Sequence, residues 1–266
     1  MKMTILGTGC AMVTECYNTC FVISDEDKNF LVDGGGGSGI LVQLKKAGIA
    51  IRDIHDIFVT HKHIDHILGI VWLIRAACQD IAKGKYEGDL TIYSHAEVLE
   101  ILSDMATKLL AKKQVAFIGN RIHFVEVKDG ESRKVIGHDV TFFDIQSTKD
   151  KQFGFMLDMG DGDRLTCCGD EPYKEHEEQY VRGSKWLLHE AFCLYGQREE
   201  FKPYEKHHST VKEACELAAA MDVPNLVLYH TEDRNILSRK KLYGEEGTTY
   251  YSGNLFVPDD LEVINL

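Results

Sequence analysis

The stretch Ile57–His66 reads IFVTHKHIDH, and its last six residues, His61 to His66, decide the fold. The chain holds twelve histidines. At its own His and Asp content an H-x-H-x-D-H string arises by chance on the order of 0.002 times, so this one is a motif. Leaving the end of a strand, His61 and His63 can aim the same way, because alternate residues share a face. A helix starting at His66 lets Asp65 and His66 reach the same cavity. Three imidazoles and a carboxylate, with no thiolate among them, suit Zn, Fe or Mn.

Working outward, other polar residues also close apolar strands. Asp33 follows FLV, Asp170 follows LTCCG, His189-Glu190 follows WLL, and His230 follows LVLY. In open α/β sheets ligands gather outside the carboxyl ends of strands. Any one of these residues reads equally well as a satisfied structural polar group. Together with His61 after IFVT they predict one shared pocket.

The rest of the chain is ordinary globular material. Its 266 residues, 44% hydrophobic and 27% charged, exclude disorder and fibrous repeats. No linker or low-complexity run breaks it, so residues 1–266 are expected to form a single domain. The apolar run Ile67–Ile74 is far short of the about 20 residues that span a bilayer. MKMTILGTG enters a strand and a turn directly, which argues against a signal peptide and for the cytoplasm. The eight cysteines contain no C-x-x-C pair and read as reduced, mostly buried thiols. A net charge of −12 disfavours broad nucleic-acid binding.

The pattern predicts strands at 4–6, 19–23, 29–32, 57–60, 90–93, 121–127, 140–145, 153–159, 164–168, 186–188, 226–229, 254–257 and 261–264. Helices are expected over 40–47, 66–78, 96–111 and from Ser209 or Thr210 to Met221. Short strands interleaved with helices indicate a layered α/β architecture. Arg239-Lys240-Lys241 reads as a basic helix face. Lys149, Lys151 and Arg234 are a candidate phosphate-facing patch, or ordinary solvated charges.

The sequence resembles the metallo-β-lactamase fold hydrolases, and within them the ribonuclease Z-like phosphodiesterases, from TILGTG to LVLYHTEDR. LVDGG carries Asp33, THKHIDH the metal-binding signature, and GDEP carries Asp170. LLHEAF looks like the HEAT-type motif of that branch, with His189 and Glu190; HSTVKEA looks like its H-S-T helix start, with His208. The resemblance implies an α/β (α+β) fold, a four-layer αββα sandwich of two packed mixed sheets flanked by helices. It also implies two divalent ions, zinc first and iron or manganese as alternatives. His61 and His63 would hold one ion, Asp65, His66 and His230 the other, and Asp170 would bridge them. Asp65 would also serve as a proton acceptor. His208, oriented by Glu190, would act on the leaving oxygen, its plainer reading being a helix-cap residue. Asp33 and His189 would support the site.

Two departures from that family pattern stand out. Gln146 occupies the place of a metal-ligand histidine, and a neutral amide oxygen is a weaker ligand for a borderline metal. Only 24 positions separate Gln146 from Asp170, too few for the long arm with which transfer-RNA-processing ribonuclease Z enzymes grip RNA. The leading expectation is thus a hydrolase of a small or single-stranded phosphodiester. A homodimeric transfer RNA 3′-end endoribonuclease is the second reading. A catalytically weak metal- or nucleotide-binding protein is the third, kept open by Gln146.

Overall fold

The computed structural model describes residues 1–266. The first half of the chain forms β1 (Lys2–Gly7), β2 (Cys20–Asp25), β3 (Lys28–Val32), α1 (Gly39–Ala47), β4 (Ile54–Phe58), α2 (Ile64–Ala82), β5 (Leu90–Ser94), α3 (Ala96–Leu109), α4 (Lys112–Val115) and β6 (Ile122–Glu126). The second half forms β7 (Glu131–Val135), β8 (His138–Asp144), β9 (Phe153–Gly160), β10 (Asp163–Cys167), α5 (Glu178–Val181), β11 (Trp186–Glu190), α6 (Arg198–Phe201), α7 (Val211–Ala220), β12 (Asn225–Tyr229), α8 (Arg239–Gly247), β13 (Asn254–Phe256) and β14 (Val263–Asn265). None of the helices is long and apolar enough to cross a membrane.

The chain divides into two compact units. The first holds residues 1–7, 17–128 and 260–266, with a sheet ordered β14-β1-β2-β3-β4-β5-β6. Its β14–β1–β2–β3 pairings are antiparallel and those of β3–β4–β5–β6 parallel. Parallel neighbours need crossovers, and α2 and α3 supply two of them. One face of the sheet, with Val22, Leu31, Ile57 and Ile92, is buried under Ile40 and Leu44 of α1, Ile70 and Ile74 of α2, and Val98 and Leu102 of α3. The other face, with Ile5, Phe21, Ile23, Phe30 and Phe58, is buried as well. That explains why these strands read as apolar runs rather than as alternating ones.

The second unit holds residues 8–16 and 129–259, with a sheet ordered β13-β12-β11-β10-β9-β8-β7. The same division recurs: β7 to β10 pair antiparallel, β10 to β13 parallel. Its helical core sets Val211, Ala214 and Ala218 of α7 and Tyr243 of α8 against Leu187, Leu226 and Leu228. Glu213 starts α7 by accepting the Thr210 backbone N–H at 2.8 Å, completing a capping box.

The predicted elements are present, with ends shifted by a few residues. His189 and Glu190 lie inside β11, not beyond it. β7, sequence ESRKV, escaped the pattern because three of its five residues are exposed, leaving no apolar alternation to see. The hairpin of β9 and β10 fills the interval after Gln146 without an inserted arm.

One close contact fixes the entry to the site. α2 lies so near the loop after β3 that a Cβ on Gly69 would meet the Gly34 carbonyl oxygen at 1.8 Å. The same pair of segments is tied by Gly34 N–H to the His66 carbonyl at 2.8 Å and Gly69 N–H to the Gly35 carbonyl at 2.9 Å. Only a residue without a Cβ lets the helix and loop meet. Gly69→Ala is expected to destabilise the protein by roughly 1–3 kcal/mol, the range for overpacking a dense interior. Urea unfolding measures it, and an unchanged midpoint would contradict the close contact.

Candidate metal centre

The first unit brings His61, His63, Asp65 and His66 together around a single buried carboxylate. Asp33 directly follows β3 and continues the β3–β4 pairing, its N–H donating to the Phe58 carbonyl at 2.9 Å. Its side chain is 3% exposed as a residue, and both oxygens are used. Oδ1 accepts the Thr60 N–H at 2.8 Å. Oδ2 accepts the Thr60 hydroxyl at 2.8 Å and faces His66 Nδ1 at 2.7 Å.

These bonds fix two tautomers. An ionised carboxylate can only accept, so His66 Nδ1 carries a hydrogen and Nε2 carries the lone pair. The Thr60 hydroxyl gives its one hydrogen to Asp33, so its oxygen accepts from His61 Nδ1, 2.9 Å away. His61 Nε2 is then a lone-pair nitrogen too. It lies 2.8 Å from His63 Nδ1, and the His61 and His66 ring centroids are 4.1 Å apart. Asp65, in the first turn of α2, places Oδ2 3.4 Å from His66 Nε2. Three imidazoles and a carboxylate at these spacings, most of them buried, fit a divalent ion. Second-sphere carboxylates orient metal-binding histidines in this manner. Thr60 was not singled out from sequence; its place between the apolar strand and His61 was the available signal.

The second unit assembles another set. Asp170 Oδ2 lies 3.4 Å from His230 Nε2. His230 follows β12 in the left-handed region, at φ 57°. Glu190 is fully buried; its Oε1 accepts the Ser209 backbone N–H, and its Oε2 lies 3.5 Å from His208 Nδ1. The His208 ring stacks on Phe192 with centroids 5.0 Å apart and sits 5.1 Å from the His230 ring. Burial disfavours the His208 cation, but the Glu190 carboxylate, with Asp170 behind it, outweighs that and raises its pKa. A raised imidazole pKa keeps a proton available for donation.

The remaining expected residues are placed differently. His189 is buried on β11 with Nδ1 against the Glu190 carbonyl at 2.7 Å, and burial lowers its pKa. Gln146 is exposed, in the left-handed region at φ 52°, with its N–H on Asp144 Oδ1 at 2.8 Å. His207 is on the surface, as expected. Of the candidate phosphate-facing residues, Lys151 pairs with Asp144 at 3.6 Å, Arg234 pairs with Glu200 over the Phe201 ring, and Lys149 acts electrostatically on His208. Arg239 is not part of an exposed basic face. It is 1% exposed and donates to the Thr8 and Thr231 hydroxyls at 2.9 and 2.7 Å and to the Pro258 carbonyl at 2.7 Å. Cys167 and Cys168 are buried, and burial pushes the Cys168 thiol well up, which disfavours redox chemistry there.

Comparison with known proteins gives a family and a fold. The family described as anti-Pycsar protein Apyc1 matches residues 1–247. The ribonuclease Z of Pyrococcus abyssi is 24% identical, over 99% of this chain and 95% of its own length. Among solved structures, the metallo-β-lactamase fold protein YhfI from Bacillus subtilis has a TM-score of 0.80 at 18% identity, covering 99% of this chain and 98% of its own. The short form of human tRNase Z gives 0.76 at 21% identity, covering 100% and 99%. The αββα metallo-β-lactamase sandwich is the fold of this chain.

If Asp33 fixes both histidines, Asp33→Asn weakens metal binding while leaving every candidate ligand in place. The expected loss is about 10- to 100-fold in affinity, the usual cost of removing such a partner. Competition against a chromogenic chelator reads it directly. Unchanged affinity would show that His61 and His66 are held by something else.

Proposed function

Because the chain belongs to the family of the anti-Pycsar protein Apyc1, and is a metal-dependent hydrolase with a metallo-β-lactamase fold, we propose that it hydrolyses a small or single-stranded phosphodiester. The observation that carries the reading is the group of buried His61, Asp65 and His66 with half-buried His63, set by Asp33. In this reading His61 and His63 hold one divalent ion, and Asp65, His66 and His230 hold a second. Asp170 would bridge the two, and residues 1–266 would act as one functional domain.

Zinc is the first choice of ion, because the donors are imidazole nitrogens and carboxylate oxygens in a buried setting. When bound, such a pair lowers the pKa of a water and stabilises charge on the phosphoryl oxygens. The protein's own residues do the remainder. Asp65 accepts the proton of the attacking water. His208, its pKa raised by Glu190, donates a proton to the leaving oxygen. The eight cysteines form no disulfide, which suits a reducing cytoplasm, and a homodimer is the assembly state the family resemblance suggests.

Transfer RNA 3′-end processing is the second reading, supported by the full-length likeness to ribonuclease Z. The net charge of −12 and the plain β9–β10 hairpin favour the smaller substrate.

Hydrolysis of bis(p-nitrophenyl) phosphate by zinc-loaded protein tests the proposal. Asp65→Ala should lower turnover by at least about 100-fold with the melting temperature largely kept. Survival of turnover would reject the assigned chemistry, and cleavage of precursor transfer RNA at its mature 3′ end would promote the second reading. Gln146→His, at a backbone conformation histidine tolerates, should raise both zinc content and turnover if the missing ligand weakens the first ion. No gain at full occupancy would remove Gln146 from the account.

A further inference from the structure

Glu190 and His208 form a pair whose geometry is poor for a hydrogen bond and good for something else. Glu190 Oε1 is satisfied by the Ser209 N–H, while Oε2 and His208 Nδ1 are buried and 3.5 Å apart, each without a hydrogen-bond partner. Two ligands of a tetrahedral zinc, at bond lengths of about 2.0–2.1 Å, sit about 3.3–3.4 Å from one another. The observed separation is close to that. His230 supplies a third donor, all three ligand atoms lying within 4.8 Å of one another.

We infer that Glu190, His208 and His230 form a further divalent-metal site, which zinc in excess occupies and by which it inhibits the enzyme. The inference rests on the function proposed above, since it regulates that same site. Two imidazoles with one carboxylate are an ordinary donor set for zinc. The Phe192 stack holds the His208 ring in place. A neutral imidazole has one lone pair, so His230 serves this ion and the proposed catalytic pair together only as a bridging imidazolate, at the cost of a proton, which makes this the weaker site. An ion here occupies the Nδ1 lone pair of His208, so that ring can no longer become the imidazolium that gives a proton to the leaving oxygen.

The test is a zinc titration of the whole protein in chelator-buffered solution, reading bound zinc by dialysis and hydrolysis of bis(p-nitrophenyl) phosphate in parallel. The wild type should bind a further, weaker zinc beyond its tight complement, with hydrolysis falling over the same zinc range. Glu190→Gln, which keeps an acceptor for the Ser209 N–H, and His208→Asn should each retain the tight zinc. Each should weaken the extra ion by at least about 10-fold. If tight zinc and hydrolysis are present but the extra ion is absent, or is unchanged in both variants, the inference fails and the proposed function stands. If the wild type holds one zinc only, and Glu190→Gln loses it, the two-ion reading fails and so does the inference of a weaker, inhibitory ion.

Discussion

Everything in the first unit's ligand cluster depends on one buried carboxylate. Asp33 accepts from a backbone N–H, a hydroxyl and an imidazole at once, and through them it sets the tautomers of both His61 and His66. An unpaired buried carboxylate would be costly, so these donors stabilise Asp33 as much as it orients them. The arrangement is reciprocal: a histidine lost from the motif leaves Asp33 short of a partner, and Asp33 lost leaves the histidines free to rotate.

That reciprocity needs β3, β4 and α2 to meet at fixed distances, and backbone contacts rather than side chains enforce them. Gly34 and Gly69 touch without an intervening Cβ, and two backbone hydrogen bonds cross the contact. The second unit secures its own end of β12 in another way. Arg239 joins Thr8, Thr231 and Pro258 through a guanidinium whose planar fork suits several acceptors at once. His230, in a left-handed conformation that side chains rarely adopt, sits immediately before Thr231.

Much of this was legible in the sequence because it is local. HKHIDH places four candidate ligands within six positions, and the strand ends announce Asp33, Asp170 and His230 by a change from apolar to polar. What was not legible depends on contacts made at long range. Arg239 begins RKK, which looks solvated, and nothing nearby in sequence marks it as buried. Gly69 reads as a tolerated helix glycine until the loop it touches is known. His189 and Glu190 adjoin in LLHEAF, yet they point to opposite faces of β11, and Glu190 is the one whose carboxylate faces His208 Nδ1. Gln146 was legible as a departure from a family pattern, but its exposure came from the turn it occupies.

The order of strands in the first sheet also has a consequence for synthesis. β1 is flanked by β2, 13 residues further on, and by β14, whose residues are made some 256 positions after β1 ends. At bacterial-scale elongation of up to about 20 residues per second, that interval lasts at least about 13 seconds. Throughout it β1 leaves the ribosome with one edge uncovered, an edge that could pair with another nascent chain. Lys2 at the margin of that strand and Glu262 beside β14 place charge where such pairing would begin. The first unit's sheet is therefore completed only once β14 has been made, and the ligand cluster it carries is assembled on a scaffold still waiting for that strand.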